Sequence, residues 1–263
     1  VLHTVDAALV SGAFFMAGIA AIFVLRNSEH ALARRALKIS LIFGFVVSIL
    51  AVFPTGDISA RQVAHTQPEK FAAIEGLYTS QNAAPFVIFA YPEAGPPPGL
   101  KLPIEIRGVI SLLAFGDMNA RVVGLDEFPQ GDVPPLWLTF VSFHNMVLLG
   151  LFFIAATAWG VFQLWRGRLW SNRWYLKLLV VSIPLPLAAC QLGWMAAEVG
   201  RQPWIVYRML RTRDAISPNL SAAEVWASLL LFGTIYLLLF FVYVFVIKRE
   251  INKGMGEVAK EVA

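Results

Sequence analysis

Long apolar blocks, separated by polar connectors, dominate the chain. Five blocks are long enough to cross a membrane as helices, because about 20 residues rising 1.5 Å each cover roughly 30 Å of hydrocarbon. The predicted spans are residues 1–25, 36–53, 136–165, 174–198 and 222–247. The pattern therefore predicts an all-α integral membrane protein with five transmembrane helices.

Two polar stretches interrupt the apolar blocks. Residues 54–135 are rich in Pro, Gly and Gln, and residues 199–221 carry several arginines, so both are predicted to lie outside the bilayer. The chain then divides into five parts in order: a helix hairpin (1–53), a long loop (54–135), a second hairpin (136–198), a shorter loop (199–221), and a last helix with a charged tail (222–263).

The distribution of basic residues predicts the orientation. The two short connectors and the tail are dense in Lys and Arg, whereas the long loop has few basic residues for its length. The connectors are therefore expected in the cytoplasm and both loops on the outer side. Four arginines in the shorter loop are expected to need partners, such as the acidic groups of a cofactor: Arg201, Arg208, Arg211 and Arg213.

Local signals place shorter elements in the long loop. The segment Thr66–Glu69 resembles a capping box with a proline near the helix start, and Gly76 can end a helix, so residues 67–75 are predicted to form a short surface helix. The run Glu93–Gly99 predicts a stiff, extended turn.

Two signals concern the membrane spans themselves. Pro184 and Pro186 are expected to kink the fourth span, because proline removes a helix hydrogen bond. The segment Ser221–Glu224 is a capping box that predicts the start of the fifth span.

Composition excludes several classes of protein. With 58% hydrophobic and 14% charged residues, the chain is too apolar for a soluble globule of its length. The net charge of +4 is small and the basic residues flank apolar segments, so a nucleic-acid partner is not expected. The single cysteine, Cys190, lies in an apolar run and excludes a disulfide framework or a thiolate metal cluster.

An ionisable cluster closes the fourth span. On a helix, Trp194, Glu198 and Arg201 are spaced i, i+4 and i+7, so they share one face. A carboxylate at membrane depth costs about 2.5 kcal/mol or more and usually marks a functional site. The alternative is an arginine-paired glutamate that reaches the membrane interface without a further role.

Three residues with iron-binding side chains share one predicted depth. His3 opens the first span, Met146 lies about three turns into the third, and Glu198 closes the fourth, all in the outer half of the bilayer. A His and Met pair suits the axial positions of a low-spin haem. The alternatives are a polar residue at a helix end for His3 and apolar packing for Met146. His144, on a different helix face, can instead be the ligand or a partner of a haem propionate.

The predicted loop helix carries a second candidate site. Lys70 and Glu75, with Phe71 and Tyr78 nearby, can hold and deprotonate a hydroxyl-bearing ring, the carboxylate acting as base and the ammonium as donor. The alternative is that both charges are simply solvated on a surface helix.

Several segments together resemble one known family, subunit I of the cytochrome bd quinol oxidases. Gln67–Gly76 is similar to the quinol-binding signature of its Q-loop, and Gly193–Trp204 is similar to its Gly-Trp…Glu-x-Gly-Arg-Gln-Pro-Trp signature. Leu2–Val5 resembles the start of its fifth membrane helix and Ile183–Pro186 part of its eighth. Motif order and topology agree along the whole chain, which therefore resembles the C-terminal half of that subunit, part of a larger haem-binding helical bundle.

The resemblance implies a role for each matching residue. His3 and Met146 would be the axial ligands of the low-spin haem b. Lys70 and Glu75, with Gln67, would serve quinol oxidation. Glu198 would ligate iron at the centre of high-spin haem b and haem d, with Trp194 relaying electrons and Arg201 supporting the site. The implied activity is quinol oxidation coupled to reduction of dioxygen to water in a prokaryotic cytoplasmic membrane, with charge separation.

Two departures from the family pattern affect these expectations. The segment Phe143–Met146 has His144 where the family has an arginine, so charge compensation at the low-spin haem must differ. Only five spans are present where the whole subunit has about nine. The expected partners are therefore the N-terminal half of subunit I, subunit II and small single-helix subunits. Two other functions stay open: a haem b quinol-oxidising subunit without oxygen chemistry, and a haem-free structural membrane subunit.

Overall fold

A computed structural model describes residues 1–27, 30–93 and 99–262, with side chains up to residue 254. Most of this part of the chain is helical. The helices are α1 (Leu2–Arg26), α2 (Ala31–Val52), α3 (Pro54–Thr66), α4 (Pro68–Glu75), α5 (Val109–Phe115), α6 (Leu136–Trp165), α7 (Arg173–Val181), α8 (Leu185–Val199) and α9 (Ala222–Val262).

Short strands lie between the helices and form antiparallel pairs. The strands are β1 (Gln81–Asn82), β2 (Phe86–Glu93), β3 (Gly99–Ile106), β4 (Arg121–Val122), β5 (Trp204–Val206) and β6 (Leu210–Arg211). The pairs are β1 with β4, β2 with β3 and β5 with β6. The predicted Pro-rich turn joins β2 to β3, and its central residues, 94–98, lie outside the described residues.

In the part of the chain that the structure describes, five stretches of helix are long and apolar enough to cross a membrane, which agrees with the sequence pattern. They cover Leu2–Arg26, Ala31–Thr66, Leu136–Trp165, Arg173–Val199 and Ala222–Gly254. A helix satisfies its backbone hydrogen bonds internally, and this is what a chain in hydrocarbon requires.

The bundle is formed by α1, α2, α6, α7 and α8. Small residues let these helices approach closely: a Cβ atom on Gly160 of α6 would lie 2.2 Å from the Tyr175 hydroxyl of α7. That hydroxyl donates to the backbone oxygen of Ala156 at 2.8 Å. Farther along the bundle, the Phe14 ring of α1 packs 4.8 Å from the Phe153 ring of α6. We call the end of the bundle that carries residues 54–135 and 199–221 the loop end.

The predicted surface helix exists, but its description was wrong in two ways. It begins at Pro68, and Thr66 does not cap it, because the Thr66 hydroxyl donates to the Gln62 carbonyl within α3. The helix is also buried rather than on the surface, since Phe71 and Ile74 pack with Ile110 of α5 and with their neighbours in the loop. Gly76 ends it in the left-handed conformation, as predicted.

The structure also tests the predicted end of the second span, the effect of the prolines in the fourth span, and the capping box of the fifth. The second span does not stop at Pro54: this residue occupies the first turn of α3, where proline is tolerated, and the helical path continues to Thr66. The fourth span is interrupted at Ser182–Pro184, between α7 and α8, so the prolines separate two helices. The Ser221–Glu224 capping box is confirmed. The backbone N–H of Ser221 donates to the Glu224 carboxylate, and the backbone N–H of Glu224 donates to the Ser221 hydroxyl.

Candidate functional site

The helix α4 reaches the loop end of α8 through the side chain of Lys70. Nζ of Lys70 donates to the backbone oxygen of Ala197 at 3.0 Å. Burial and the nearby positive charge of Arg201 both lower the pKa of Lys70. Gln67 and Lys70 line a polar cleft with Arg201 and Gln202, large enough for about one water molecule. The predicted quinol-loop helix and the predicted iron-ligand helix therefore meet.

Glu75 lies at the other end of α4, in the apolar interior of the loop. Only 2% of its surface is exposed. Its Oε2 atom has no hydrogen-bond partner among the described residues. Burial raises the pKa of Glu75 to about 8. A carboxyl group with this pKa is mostly protonated at neutral pH and can exchange a proton near pH 8.

Lys70 and Glu75 do not share one pocket. Lys70 points to α8, whereas Glu75 points into the interior of the loop, five residues farther along the helix. Gly76, next to Glu75, lies against the ring of Phe140 in α6, because a Cβ atom there would be 2.9 Å from that ring. Phe140 in turn stacks on His144, with 3.9 Å between ring centroids.

An apolar pocket of about 240 Å³ lies beyond His144, between α6 and the β2–β3 hairpin. His144 is 6% exposed. Its Nδ1 atom lies 3.0 Å from the backbone oxygen of Phe140. Its Nε2 atom makes no hydrogen bond of normal geometry within the described chain, although the backbone of Val87 is close. The lining residues are Phe86, Ile88, Ile106, His144, Val147, Leu148 and Leu151.

His3 is held in one orientation at the loop end of α1. Its Nδ1 atom lies 3.0 Å from the backbone oxygen of Ala51 at the end of α2. The hydroxyl of Thr55 is 3.5 Å from the same nitrogen and donates to Asp6 at 2.9 Å. A histidine that donates from Nδ1 to a carbonyl keeps Nε2 available for iron, a common arrangement around metal ligands.

Met146 lies at the same end of the bundle as His3. One turn farther along α6, Gly150 packs against Val52, the neighbour of Ala51. The sulfur of Met146 faces α8, where a Cβ atom on Gly193 would lie 2.8 Å from it. Two residues turn a helix by about 200°, so His144 faces the hairpin while Met146 faces α8. The roles of His3 and Met146 as an iron-ligand pair stay a prediction.

The face that carries Trp194 and Glu198 points away from the rest of the described chain. Trp194 is 63% exposed. Arg201 follows the last turn of α8, and its Nη1 atom lies 3.1 Å from Oε2 of Glu198. The predicted pairing of these two residues is therefore present, but in a turn rather than along a helix. Among the described residues, His, Cys, Asp and Glu side chains form no group of three that could hold a metal ion. Haem iron needs only one or two protein ligands, so this finding does not bear on the roles predicted for His3, Met146 and Glu198.

Apart from the Glu198–Arg201 pair, the partners of the arginines in the shorter loop differ from those expected. Acidic groups of a cofactor were predicted as partners, but protein carboxylates pair with these arginines. Each of the four arginines lies near one carboxylate: Arg201 with Glu198, Arg208 with Glu69, Arg211 with Asp132 and Arg213 with Asp214. Two of these partners lie in the long loop, far away in the chain, and no local motif could have indicated them.

These observations define a multi-pass, mostly helical membrane protein whose lysine, arginine and carboxylate side chains meet at one end of the bundle. A sequence model of the family cytochrome bd terminal oxidase subunit I matches residues 1–255. The chain belongs to the cytochrome bd terminal oxidase subunit I family.

Individual relatives agree with this assignment. The chain is 32% identical over 262 residues to the cytochrome bd ubiquinol oxidase subunit 1 of Bacillus subtilis (strain 168), covering 96% of this chain and 56% of the relative. It is 29% identical over 325 aligned positions to the cytochrome bd-II ubiquinol oxidase subunit 1 of Escherichia coli (strain K12), covering 99% and 63%. The chain thus spans a little over half the length of these relatives.

A solved structure confirms the predicted fold class. The chain resembles the bd oxidase from Geobacillus thermodenitrificans with a TM-score of 0.84 and 31% sequence identity, covering 94% of this chain and 56% of that one. The predicted resemblance to the family is confirmed as well.

Proposed function

We propose that this chain forms the quinol-oxidising half of a bd-type oxidase subunit I in a prokaryotic cytoplasmic membrane, with the loop end on the outer side. In the complete enzyme, electrons would pass through low-spin haem b to a centre of high-spin haem b and haem d that reduces dioxygen to water and generates proton-motive force. One observation carries the proposal: α4 lies at the loop end, with Lys70 bonded to α8 and Glu75 buried in the interior of the loop, next to the Gly76 that packs on Phe140.

The pocket suits the ring of a quinol. Its walls are apolar apart from His144, and its volume of about 240 Å³ admits a single ring system. Oxidation of a quinol releases two protons and two electrons. Glu75, in its ionised form, would accept a proton from a ring hydroxyl. Lys70 would donate a hydrogen bond to a quinol oxygen only after exchanging its present bond to Ala197.

The donor set at the loop end fits haem. His3 would offer Nε2 and Met146 its sulfur to the low-spin haem b, and Glu198 would offer a carboxylate oxygen at the high-spin centre. When bound, haem iron supplies one-electron acceptance at both places. Ala51 orients the His3 ring, and Gly193 leaves room for the Met146 sulfur. Trp194 and Arg201 would support the Glu198 site.

The proposed partners are the N-terminal helices of subunit I, subunit II and small single-helix subunits. The apolar helix α9 supports this, because the side chains of its membrane window are not buried inside the described chain. Such a surface suits lipid or the helices of other subunits.

The proposal is tested on the purified membrane complex that contains this chain. We expect quinol oxidation with oxygen uptake, and a pyridine haemochrome spectrum with haem b and haem d, alongside intact subunit masses. Quinol oxidation without oxygen uptake would favour an electron-transfer subunit. A complex without haem would favour a structural subunit and would refute the proposal.

Filling the apolar pocket should weaken quinol binding. Ile88 lines the pocket, and Ile88→Trp is expected to raise the KM for quinol about tenfold, because the added ring occupies the space of the substrate. Phe89→Trp is the matched control, since the neighbouring side chain of β2 is 57% exposed and does not line the pocket. Equal KM values in both variants would contradict the assignment of the pocket.

Removing the carboxylate of Glu198 should disturb the proposed high-spin haem. Glu198→Ala removes the expected ligand and leaves Arg201 without its partner, so carbon monoxide difference spectra are expected to lose amplitude or shift. Asp214→Ala is the control, because Asp214 also pairs with an arginine in the same loop. Unchanged spectra in Glu198→Ala would count against ligation by this residue.

A further inference from the structure

The β5–β6 hairpin, in the shorter loop, carries an unusual turn residue. Arg208 has a φ of 56°, in the left-handed region that favours glycine. Residues other than glycine persist there when the surrounding structure fixes them. The guanidinium of Arg208 forms an ion pair with a carboxylate of the long loop, and this contact fixes the residue.

That ion pair ends on Glu69, the residue before Lys70 in α4. Nη2 of Arg208 lies 2.8 Å from one oxygen of Glu69. The hydroxyl of Tyr207 donates to the other oxygen at 2.6 Å. Glu69 is 4% exposed. Both carboxylate oxygens of a buried residue are therefore satisfied by two consecutive residues of the hairpin.

The protonation states suit this arrangement. Burial alone would raise the pKa of Glu69, but the hydrogen bonds from Tyr207 and Arg208 lower it below its usual value. Burial and the bond to Glu69 raise the pKa of Tyr207 to about 12. At neutral pH, Glu69 is thus an anion and Tyr207 a donor, and charge-assisted hydrogen bonds of this kind are the strong ones.

A second contact joins the hairpin to the far end of the long loop. Nη2 of Arg211 lies 2.5 Å from a carboxylate oxygen of Asp132, and Nη1 donates to the Gly131 carbonyl at 3.1 Å. The guanidinium of Arg211 also lies 4.5 Å from the centre of the Trp204 ring. The hairpin therefore holds the long loop near its beginning and near its end.

We propose that Glu69 is a positioning residue for quinol oxidation: Tyr207 and Arg208 of the β5–β6 hairpin hold it, and this contact positions Lys70 at the loop end of α8. Lys70 follows Glu69 directly in α4, so its position depends on this contact, whereas Glu75 is fixed by its own burial in the loop. The inference rests on the proposed quinol function.

The test compares Glu69→Gln and Arg208→Gly in the complete membrane complex. Glutamine keeps the size of the side chain without its charge, and glycine accepts the turn conformation while removing the cation. Each variant is expected to raise the KM for quinol about tenfold, the size of one lost charge-assisted hydrogen bond. The value of kcat and the haem content should stay within about twofold, as for a loss of uniform binding.

Three further variants sharpen the test. The double variant Glu69→Gln with Arg208→Gly should be no worse than either single variant, because both remove one contact. Tyr207→Phe should raise KM less, since it removes one donor only. Arg121→Gln should leave KM unchanged, because the Arg121–Glu127 ion pair lies within the long loop and does not reach the hairpin.

The outcomes distinguish the proposed function from the positioning role of Glu69. A wild-type complex that oxidises no quinol refutes the proposed function, and the positioning role falls with it. A wild type that oxidises quinol, with an unchanged KM in Glu69→Gln and Arg208→Gly, refutes only the positioning role. Faster protease cleavage of the long loop in these variants, without a change in KM, also refutes it, because the contact would then be structural alone.

Discussion

Replacement of Glu75 by Gln is expected to lower the kcat for quinol oxidation by about 10²- to 10⁴-fold, the usual contribution of a positioned base. The change keeps the shape of the side chain and removes its ability to accept a proton from the quinol. Haem content should stay the same, because Glu75 is buried in the loop rather than in the helix bundle. The measurement is steady-state quinol oxidation beside a haemochrome assay.

Glu127→Gln is the control for this variant. Glu127 lies in the same loop, but its side chain is 39% exposed and pairs with Arg121. Its replacement should leave turnover unchanged. Normal turnover in Glu75→Gln would remove this carboxylate from the mechanism.

The pH dependence of turnover is an independent test of the role of Glu75 as a base. Burial raises the pKa of Glu75 to about 8 from 4.5, so the base form becomes abundant only as the pH rises through about 8. Turnover should increase over that range in the wild type and lose this dependence in Glu75→Gln. The raised pKa also affects folding stability. Between pH 4.5 and about 8, Glu75 is protonated in the folded chain and ionised in the unfolded chain. The stabilisation from Glu75 is therefore fully present below pH 4.5 and is lost as the pH rises through about 8.

Replacement of Met146 by Leu is expected to abolish or shift the absorbance of the low-spin haem b. Leucine has a similar volume and is tolerated in packed sites, so the helix contact with Gly193 should survive while the sulfur donor is lost. His3→Ala should have the same spectral effect, because it removes the other donor of the proposed pair. The measurement is the reduced-minus-oxidised spectrum of the purified complex.

Met16→Leu is the matched control for the methionine. Met16 also lies on a membrane helix, but it is 49% exposed and has no proposed role at a cofactor. Its spectrum should match the wild type. An unaltered low-spin haem b spectrum in both Met146→Leu and His3→Ala would refute the proposed pair.

The features that the sequence predicted correctly depend on neighbours along the chain. Apolar length alone indicated the membrane helices. The Glu198–Arg201 pair and the Ser221 cap join residues three positions apart, and proline chemistry located the break before α8. In each case, the physical cause lies within one or two helical turns.

The features that the sequence missed depend on contacts between distant segments. The α4 helix appeared solvated because its partners, α5 and α6, come much later in the chain. The ion pair between Glu69 and Arg208 joins residues 139 positions apart. The β2–β3 hairpin escaped notice because exposed apolar residues such as Phe89 and Tyr91 blur the alternation expected of a strand.

The break between α7 and α8 fixes the height at which the fourth span meets the first. Ile183, at the break, fits against Gly18 of α1, where a Cβ atom would come within 2.2 Å of its side chain. This close packing of Ile183 on Gly18 opposes sliding of α8 along α1. Helix α8 runs from this contact to Glu198, so the contact sets the height of that carboxylate relative to α1.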